Sequence, residues 1–348
     1  MTPAPTTPAM TTRVTLPGLV EPAGLVVDEA PVADPGADEL LVAVEATGVS
    51  YAEQAMRRGR YFMQPAFPFT PGYDLVGTVT SVGPGGDASL VGRRVASMTR
   101  TGAWTGHAVV SARDSVLVPD GVTSEDAEAV TVNGVTAWQM LHRSARVRPG
   151  QTILVFGANG GVGGLLIQLA RQHGVRVIGA ASPRHHDALR RDGVEPVDYA
   201  APDLEASVRA LAPSGVDAVF DNVGGDTTRL SWRLLAPGGA LVSYAIIAAV
   251  GGTGSLWSPF VKQLGRLATW NALPNGKRAT FYDLWSGHRS SPRRFRAHLE
   301  ADLGQVFELV RTGVVTANIA ARFPLVRAAE ALELAESRTL AGKVILVP

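Results

Sequence analysis

Apolar residues in the first third of the chain form short runs that glycine and proline separate. The segments 39–45 (ELLVAVE) and 74–82 (DLVGTVTSV) are rich in leucine and valine and are predicted strands. Turn pairs such as Pro35-Gly36 and Pro71-Gly72 recur between the runs, and residues 51–59 predict one short helix. Short strands at this spacing predict a small barrel or sandwich.

The pattern then changes to apolar runs that alternate with segments of helical periodicity, beginning with a helix at Ser124. Strands that alternate with helices of about ten residues predict a parallel, doubly wound sheet. Residues 240–244 are the predicted last strand of that open sheet, and residues 246–290 are predicted to be irregular. A final apolar strand at 344–347 comes too late to belong to it.

Residues 152–184 carry the most informative pattern, an apolar run followed by a glycine cluster, a helix and a second apolar run. Glycine suits a turn this tight, and it lets the backbone approach a pyrophosphate at the positive end of the helix. The pattern predicts a dinucleotide site, although its G-x-x-G-x-x-G spacing differs from the common G-x-G-x-x-G. The alternative is a tight turn without a ligand. The predicted cofactor contacts are Gly157, Asn159, Gly160, Gly161, Val162 and Gly163.

The end of the second strand indicates which dinucleotide binds. An NAD site usually places an acid there for the ribose hydroxyls, whereas this chain has Ser182 and Arg184 and no acid before Asp187. Because Ser182 can donate a hydrogen bond and Arg184 a charge-assisted one to a 2′-phosphate, we expect NADPH. Arg184 as an exposed residue at a helix start is the alternative.

Composition limits the function classes. Apolar residues make up 46% of the chain, the formal net charge is +1, and cysteine is absent. These values predict a globular, cytoplasmic protein with no nucleic-acid or membrane partner. Cysteine chemistry is excluded, and residues 1–12 predict a disordered tail rather than a signal peptide. The basic residues between 266 and 296 predict a solvated surface, with a phosphate-binding patch as the alternative.

Several motifs together resemble the medium-chain dehydrogenase/reductases, specifically the zinc-free branch of quinone oxidoreductases and enoyl reductases. The motifs are Gly48-Val49-Ser50, Pro71-Gly72-Tyr73-Asp74-Leu75-Val76-Gly77, Gly134-Val135-Thr136-Ala137, residues 149–170, Asp221-Asn222-Val223-Gly224-Gly225, Pro237-Gly238-Gly239 and Gly342-Lys343-Val344. The resemblance implies an α/β protein with a GroES-like, β-rich catalytic domain (13–123 and 297–348) and a Rossmann cofactor domain (124–296). The last strand would then return to the first domain.

The same resemblance implies that no metal is bound. Zinc-dependent relatives usually place a cysteine at Ser50, a histidine at Tyr73, an acid at Asp74 and a cysteine at Val132. Only the acid is present, and serine, tyrosine and valine cannot form the nitrogen and sulfur tetrahedron that zinc requires. Reduction of an already electrophilic double bond or quinone is therefore favoured over alcohol oxidation.

The resemblance also implies the site residues. Ser50, Glu53, Tyr73 and Thr136 would line the substrate and nicotinamide pocket, Asn222 and Val223 would contact the cofactor, and Tyr199 would touch the 2′-phosphate. The branch often has Asn at Ser50, Asp at Glu53 and Tyr at Ala55, so the usual substrate contacts differ here. Thr136 can instead bond its own helical turn.

The proposed reaction adds hydride to an activated C=C bond or quinone and then requires a proton. Tyr61 resembles the tyrosine that enoyl reductases of polyketide synthases place beside the substrate, and a phenol stays protonated at neutral pH. Tyr61 is therefore the predicted proton donor or oxygen ligand, with packing against nearby phenylalanines as the alternative. One-electron quinone reduction and non-catalytic NADPH binding are the rival functions. Family resemblance further implies a homodimer.

Overall fold

The structure is a computed structural model that describes residues 9–250, 256–337 and 339–348. The chain divides into two compact units. Unit 1 comprises the residues up to Val132 together with Arg296–Pro348, and unit 2 comprises Asn133–Phe295.

The strands, in chain order, are β1 (Met10–Thr15), β2 (Val26–Pro31), β3 (Glu39–Val49), β4 (Asp74–Val82), β5 (Arg94–Met98), β6 (His107–Ser111), β7 (Ser115–Leu117), β8 (Thr152–Phe156), β9 (Arg176–Ala181), β10 (Glu195–Asp198), β11 (Val216–Asp221), β12 (Leu235–Ser243), β13 (Arg278–Phe281), β14 (Ile319–Pro324) and β15 (Lys343–Val347). The α-helices are α1 (Tyr51–Arg57), α2 (Ser124–Trp138), α3 (Gly161–Gln172), α4 (His186–Arg191), α5 (Leu204–Leu211), α6 (Asp226–Leu234), α7 (Ile247–Val250), α8 (Trp257–Asn271), α9 (Pro292–Arg311) and α10 (Ala328–Glu336). None of the helices in the described part of the chain is long and apolar enough to cross a membrane.

Unit 1 is built on a seven-stranded sheet in the order β14-β15-β3-β4-β5-β7, in which β6 also pairs with β3. Alternate residues of β3, including Leu40 and Val42, are buried in its core, as the period of a strand requires. Strand β15 pairs antiparallel with β3, with Val344 opposite Val49. This pairing confirms that the last strand returns to the first domain.

Unit 2 is built on six strands in the order β10-β9-β8-β11-β12-β13, and every neighbouring pair is parallel. Apolar residues of these strands, among them Leu154, Ile178 and Leu241, lie in one buried cluster. Parallel strands buried on both faces read as continuous apolar runs, which is why the sequence located most of them. The predicted doubly wound, Rossmann-type sheet is confirmed.

Three details differ from the predictions. Residues 10–12 belong to β1, which pairs with β2, and are not part of a disordered tail; residues 1–8 lie outside the described residues. The predicted edge strand at 240–244 is wrong, because β13 pairs with β12 and is itself the edge. Most described residues of the segment 246–290, predicted to be irregular, form α7, α8 and β13.

The physical reason for the missed elements is the small apolar content of their buried faces. Helix α8 buries Gln263 and Leu267, so a polar side chain interrupts its apolar stripe. The Gln263 amide is satisfied inside the unit, because its Nε2 donates to Thr228 and Ser243 hydroxyls at 3.0 Å each. Strand β13 has four residues and buries only Ala279, which is too short for a period to be visible.

Candidate cofactor and catalytic sites

The glycine loop of unit 2 connects β8 to α3, and its backbone favours glycine at Gly157 and Gly163 for different reasons. Gly157 has a φ of +66°, a left-handed conformation that favours glycine. A Cβ atom on Gly163 would lie 2.1 Å from the Gly157 carbonyl oxygen, so α3 packs directly on the loop backbone. Gly160 precedes the first turn of α3 and offers no capping side chain. The free N–H groups of that turn can therefore bind a phosphate, which fits a dinucleotide pyrophosphate.

Two side-chain amides lie against this loop. A Cβ on Gly157 would be 2.6 Å from Asn222 Nδ2, and a Cβ on Gly161 would be 2.5 Å from Asn133 Nδ2. The Asn222 Oδ1 atom is buried and has no hydrogen-bond partner among the described residues. A buried amide oxygen without a donor is costly, so Asn222 fits a site whose ligand supplies an N–H or O–H. Asn133 was not predicted to contact this loop, although it directly precedes the motif that begins at Gly134.

The loop that carries Asn222 and Val223 is shaped by Asp221, the last residue of β11. The Asp221 carboxylate accepts hydrogen bonds from the backbone N–H groups of Val223 (2.8 Å) and Gly224 (3.1 Å) and from the Thr228 hydroxyl (2.6 Å). Burial raises the pKa of Asp221 above its usual value, while these donors oppose the shift. The carboxylate thus fixes the turn beyond the carboxyl end of a parallel strand, where ligands of such sheets bind.

The end of β9 carries the residues expected to choose between the two dinucleotides. Ser182 follows the strand and is half-buried, and Arg184 is exposed. The Arg184 Nε–H donates to His185 Nε2 at 3.2 Å. Burial and the positive charges of its neighbours lower the pKa of His185. Tyr199 follows β10 and is 55% exposed. No acidic side chain occurs between residue 177 and Asp187.

The remaining residues predicted to contact the cofactor also lie in unit 2. Asn159 belongs to the turn between β8 and α3, and Val162 lies in the first turn of α3. Thr136 lies within α2 and is 7% exposed. The roles of these residues stay predictions.

In unit 1, Ser50 and Glu53 form a reciprocal cap at the start of α1. The Ser50 N–H donates to Glu53 Oε2 at 2.8 Å, the Ala52 N–H donates to Ser50 Oγ at 3.1 Å, and the Ser50 hydroxyl also bonds Glu53 Oε2. Glu53 is 2% exposed, and its Oε1 has no hydrogen-bond partner among the residues described. Burial raises the pKa of Glu53. A carboxyl in this environment can carry a proton.

Tyr61 and Tyr73 are joined through their hydroxyl groups, whose oxygens lie 2.9 Å apart. The ring centroids are 6.3 Å apart and the ring planes are nearly perpendicular, at 86°. Tyr73 is 7% exposed, whereas Tyr61 is half-buried. The structure therefore brings together two predicted site residues that are twelve positions apart in the sequence.

Asp74, beside Tyr73, belongs to a buried ionic cluster that the sequence analysis did not predict. The Lys343 ammonium lies 2.9 Å from Asp74 Oδ2 and 2.7 Å from Glu128 Oε1. All three side chains are almost completely buried. Gly48 leaves space for the cluster, since a Cβ there would lie 2.2 Å from Lys343 Cε. The Val132 N–H donates to Asp74 Oδ2 at 3.1 Å.

These contacts test whether unit 1 fits the zinc ion of zinc-dependent relatives, and it does not. Val132 offers only its backbone N–H, and the Asp74 carboxylate is bonded to the Lys343 ammonium. Within residues 9–250, 256–337 and 339–348, no three His, Cys, Asp or Glu side chains are placed to hold a metal ion. The donor set at Ser50, Tyr73, Asp74 and Val132 lacks the nitrogen and sulfur ligands of a zinc site.

Comparison with known proteins gives matches along almost the whole chain. Residues 36–120 match the alcohol dehydrogenase GroES-like domain family, and residues 193–346 match the family described as zinc-binding dehydrogenase. The human synaptic vesicle membrane protein VAT-1 homolog is 31% identical over 325 residues, which cover 90% of this chain and 80% of that protein.

Two further similarities extend the comparison. A mycocerosic acid synthase-like polyketide synthase of Mycobacterium tuberculosis is 31% identical over 315 residues, covering 90% of this chain but 14% of the much longer synthase. The solved structure of Escherichia coli quinone oxidoreductase complexed with NADPH superposes with a TM-score of 0.84 at 26% identity, covering 97% of this chain and all of that one.

Proposed function

Because this chain belongs to the medium-chain dehydrogenase/reductase superfamily, in the branch of quinone oxidoreductases, VAT-1 and enoyl reductases, we propose that it is an NADPH-dependent reductase of activated C=C bonds or quinones. Its family makes it an oxidoreductase, and the glycine loop of unit 2 supports the cofactor. When bound, NADPH supplies a hydride, which an enone or quinone accepts without a Lewis acid because the substrate is already electrophilic.

The observation that carries this proposal is the close packing of the glycine loop against the Asn222 side chain, whose Oδ1 is buried and has no hydrogen-bond partner among the residues that the structure describes. Backbone N–H groups at the start of α3 would hold the pyrophosphate, and Asn222 would accept a hydrogen bond from the nicotinamide half. Val223 and Thr136 are proposed to contact the same half. Asn133 joins this set because of its contact with the loop at Gly161.

We further propose that NADPH is preferred over NADH through Ser182, Arg184 and Tyr199. An arginine–phosphate bond contributes roughly 1.5–3 kcal/mol, which corresponds to a preference of about tenfold to a hundredfold. Arg184 is exposed, so its side chain can reach a ligand at the surface without desolvation of a buried charge.

The proton is proposed to come from Tyr61. Addition of hydride to an enone leaves an enolate, which needs a proton at carbon or a donor at oxygen. Tyr61 supplies a phenol O–H, and the buried Ser50–Glu53 pair lies in the same unit. A positioned acid accelerates such a step by about 10²–10⁴-fold.

The test is turnover of the purified protein with NADPH or NADH on a panel of enones and quinones, with dissociation constants of both cofactors for the natural protein and for Arg184→Ala. We expect turnover with NADPH, tighter NADPH binding, and loss of that preference in Arg184→Ala. Cofactor binding without turnover on any electrophile would indicate a non-catalytic NADPH-binding protein. A semiquinone signal during quinone turnover would indicate one-electron chemistry instead.

Two lesser proposals follow from the same family membership. The protein is proposed to be free of metal, so elemental analysis should detect no stoichiometric zinc and chelators should leave activity unchanged.

It is also proposed to be a homodimer, and β13 is the strand that leaves an edge of the unit 2 sheet open for pairing. Light scattering should then give about twice the 36.5 kDa chain mass; a monomer at micromolar concentration would contradict this.

A further inference from the structure

We propose that Tyr73 is the second member of a proton relay, in which its phenol donates to Tyr61 while Tyr61 protonates the substrate. This inference rests on the proposed reductase function and assigns a new role within it. It starts from the 2.9 Å contact between the two hydroxyl oxygens.

The relay assigns Tyr73 as the donor of this hydrogen bond, one of the two directions that the contact allows. Each neutral phenol has one proton to donate, and a contact between two hydroxyl oxygens uses one of the two protons. If Tyr73 is the donor, the Tyr61 hydroxyl keeps its own proton for a third group. Tyr73 is 7% exposed whereas Tyr61 is half-buried, so Tyr61 is the phenol that a substrate can reach.

The backbone of Tyr73 is held in place on both sides. Its carbonyl oxygen accepts the N–H groups of Thr99 at 2.9 Å and Arg100 at 3.3 Å. The next residue, Asp74, is anchored by the Lys343 ammonium and the Val132 N–H. A buried phenol on such a rigid segment is preorganised, so its hydrogen bond does not have to form anew during the reaction.

Bound NADPH would supply hydride by breaking its nicotinamide C4–H bond, leaving NADP⁺. A C–H bond would form at the β-carbon of the enone, and the π electrons would move to give the enolate. The enolate α-carbon takes the Tyr61 proton, and the electrons of that O–H bond stay on the Tyr61 oxygen. The Tyr73 proton passes to that oxygen, and water returns a proton to Tyr73. Without Tyr73, the Tyr61 phenolate would form in a half-buried place without its charge-assisted donor.

The first experiment is a double-mutant cycle on kcat with NADPH and an enone. Tyr61→Phe should lower kcat by about 10²–10⁴-fold. Tyr73→Phe should lower it by about tenfold to a hundredfold, the loss expected for one hydrogen bond to a charged group, with the NADPH dissociation constant unchanged. In the Tyr61→Phe background, Tyr73→Phe should have no further effect, because Tyr73 acts only through Tyr61. Additive losses would overturn the relay.

The matched control is Tyr282→Phe. Tyr282 lies in unit 2, and its hydroxyl donates to Gln139 Oε1 at 2.9 Å, so this variant loses a phenol hydrogen bond of the same length. Its kcat should remain within about twofold of the natural protein, as expected for a change away from the reaction.

Two readouts separate a relay from a structural role. In the natural protein, kcat should vary non-linearly with the deuterium fraction of the solvent, because two protons move. In Tyr73→Phe this dependence should become linear. In the protein without cofactor, the ¹³Cζ resonance of labelled Tyr61 should shift in Tyr73→Phe and stay unchanged in Tyr282→Phe. A linear dependence in the natural protein, or an unshifted Tyr61 resonance, would overturn the proposal.

A conservative replacement keeps the test decisive if Tyr73→Phe does not fold. Incorporation of 3-fluorotyrosine at position 73 retains both the ring and the donor, so kcat should stay within about threefold of the natural value for a donor role. A loss beyond tenfold would contradict it. If the natural protein turns over and Tyr73→Phe has the same kcat, this inference alone is overturned. If the natural protein does not turn over, the reductase function and the relay are both overturned.

Discussion

Asp74 in unit 1 and Asp221 in unit 2 are both completely buried. Asp74 is the first residue of β4 and Asp221 is the last residue of β11, and the two carboxylates are satisfied differently. Asp74 pairs with an ammonium, at Lys343, from a residue 269 positions away. Asp221 is held by hydrogen bonds from Val223, Gly224 and Thr228, all within seven positions.

The difference indicates what each carboxylate does. The Asp74 pair joins β4 to β15 and therefore ties the two ends of the chain within unit 1. The Asp221 bonds shape one loop, which carries Asn222 toward the glycine turn. Breaking the Asp74–Lys343 pair should reduce stability alone. Breaking the Asp221 hydrogen bonds should reduce both stability and cofactor affinity.

The largest effect is expected for Lys343→Met. Removal of the ammonium leaves two buried carboxyl groups without their cation, which should lower the free energy of unfolding by about 3–5 kcal/mol in urea denaturation. The exposed Lys262→Met variant is the control and should change it by less than about 0.5 kcal/mol. A loss below about 1 kcal/mol for Lys343→Met would remove the distinction between the two aspartates.

The pH dependence of this contribution has a definite sign. Burial alone would lower the pKa of Lys343, but Asp74 and Glu128 outweigh it, so the pKa of Lys343 lies above its usual value. A raised lysine pKa means that the stabilisation is complete below the usual lysine value of about 10.4 and is lost as the pH rises above it. The difference between Lys343→Met and the natural protein should therefore stay constant from about pH 6 to 9.

Asp221→Ala should have the next largest effect. Two backbone N–H groups and the Thr228 hydroxyl lose their acceptor, which should cost about 2–3 kcal/mol of stability after the desolvation of the carboxylate is relieved. NADPH affinity should fall as well, because the Asn222 loop loses its anchor. Lys343→Met should leave NADPH affinity unchanged, and an equal loss of affinity in both variants would contradict the comparison.

Thr228→Val should cost about 1 kcal/mol, the value of one buried hydrogen bond, because the hydroxyl donates to Asp221 and accepts from Gln263. Thermal unfolding of this variant can be compared with Thr227→Val. Thr227 is half-buried on the same helix, α6, and its substitution should be nearly neutral. Equal effects at the two positions would show that the Asp221 network adds nothing measurable.

The smallest effect is expected for Glu128→Gln. Burial disfavours the charged form of Glu128 and raises its pKa well above the usual value, so a neutral amide of the same shape should change stability by less than about 1 kcal/mol. A carboxyl whose pKa is raised in the folded state contributes most to stability below its pKa in the unfolded chain, about 4.3. That contribution to stability falls as the pH rises. Glu128→Gln should therefore flatten that fall. A loss comparable to Lys343→Met at pH 7 would show that Glu128 is ionised.

Much of unit 2 could be predicted because its signals are local. The Gly157 turn, the helix that ends near Gly174 and the buried strands on either side follow from nearby residues. The edge strand β13 and helix α8 were missed because one is four residues long and the other places Gln263 on its buried face. The contact of Asn133 with Gly161 could not be predicted either, since an isolated asparagine carries no period.

The sequence by itself determined most of the elements, the class of fold, the glycine loop and, through the combination of motifs, the family. Backbone preference and side-chain periodicity depend on residues close together in the chain, so one sequence is enough to read them. Only the tertiary structure decided that Lys343 neutralises Asp74 and that Tyr73 meets Tyr61. Those partners are brought together when β15 adds to β3 and when a loop folds over a buried segment, and no local preference specifies which distant side chain a buried charge or hydroxyl will meet.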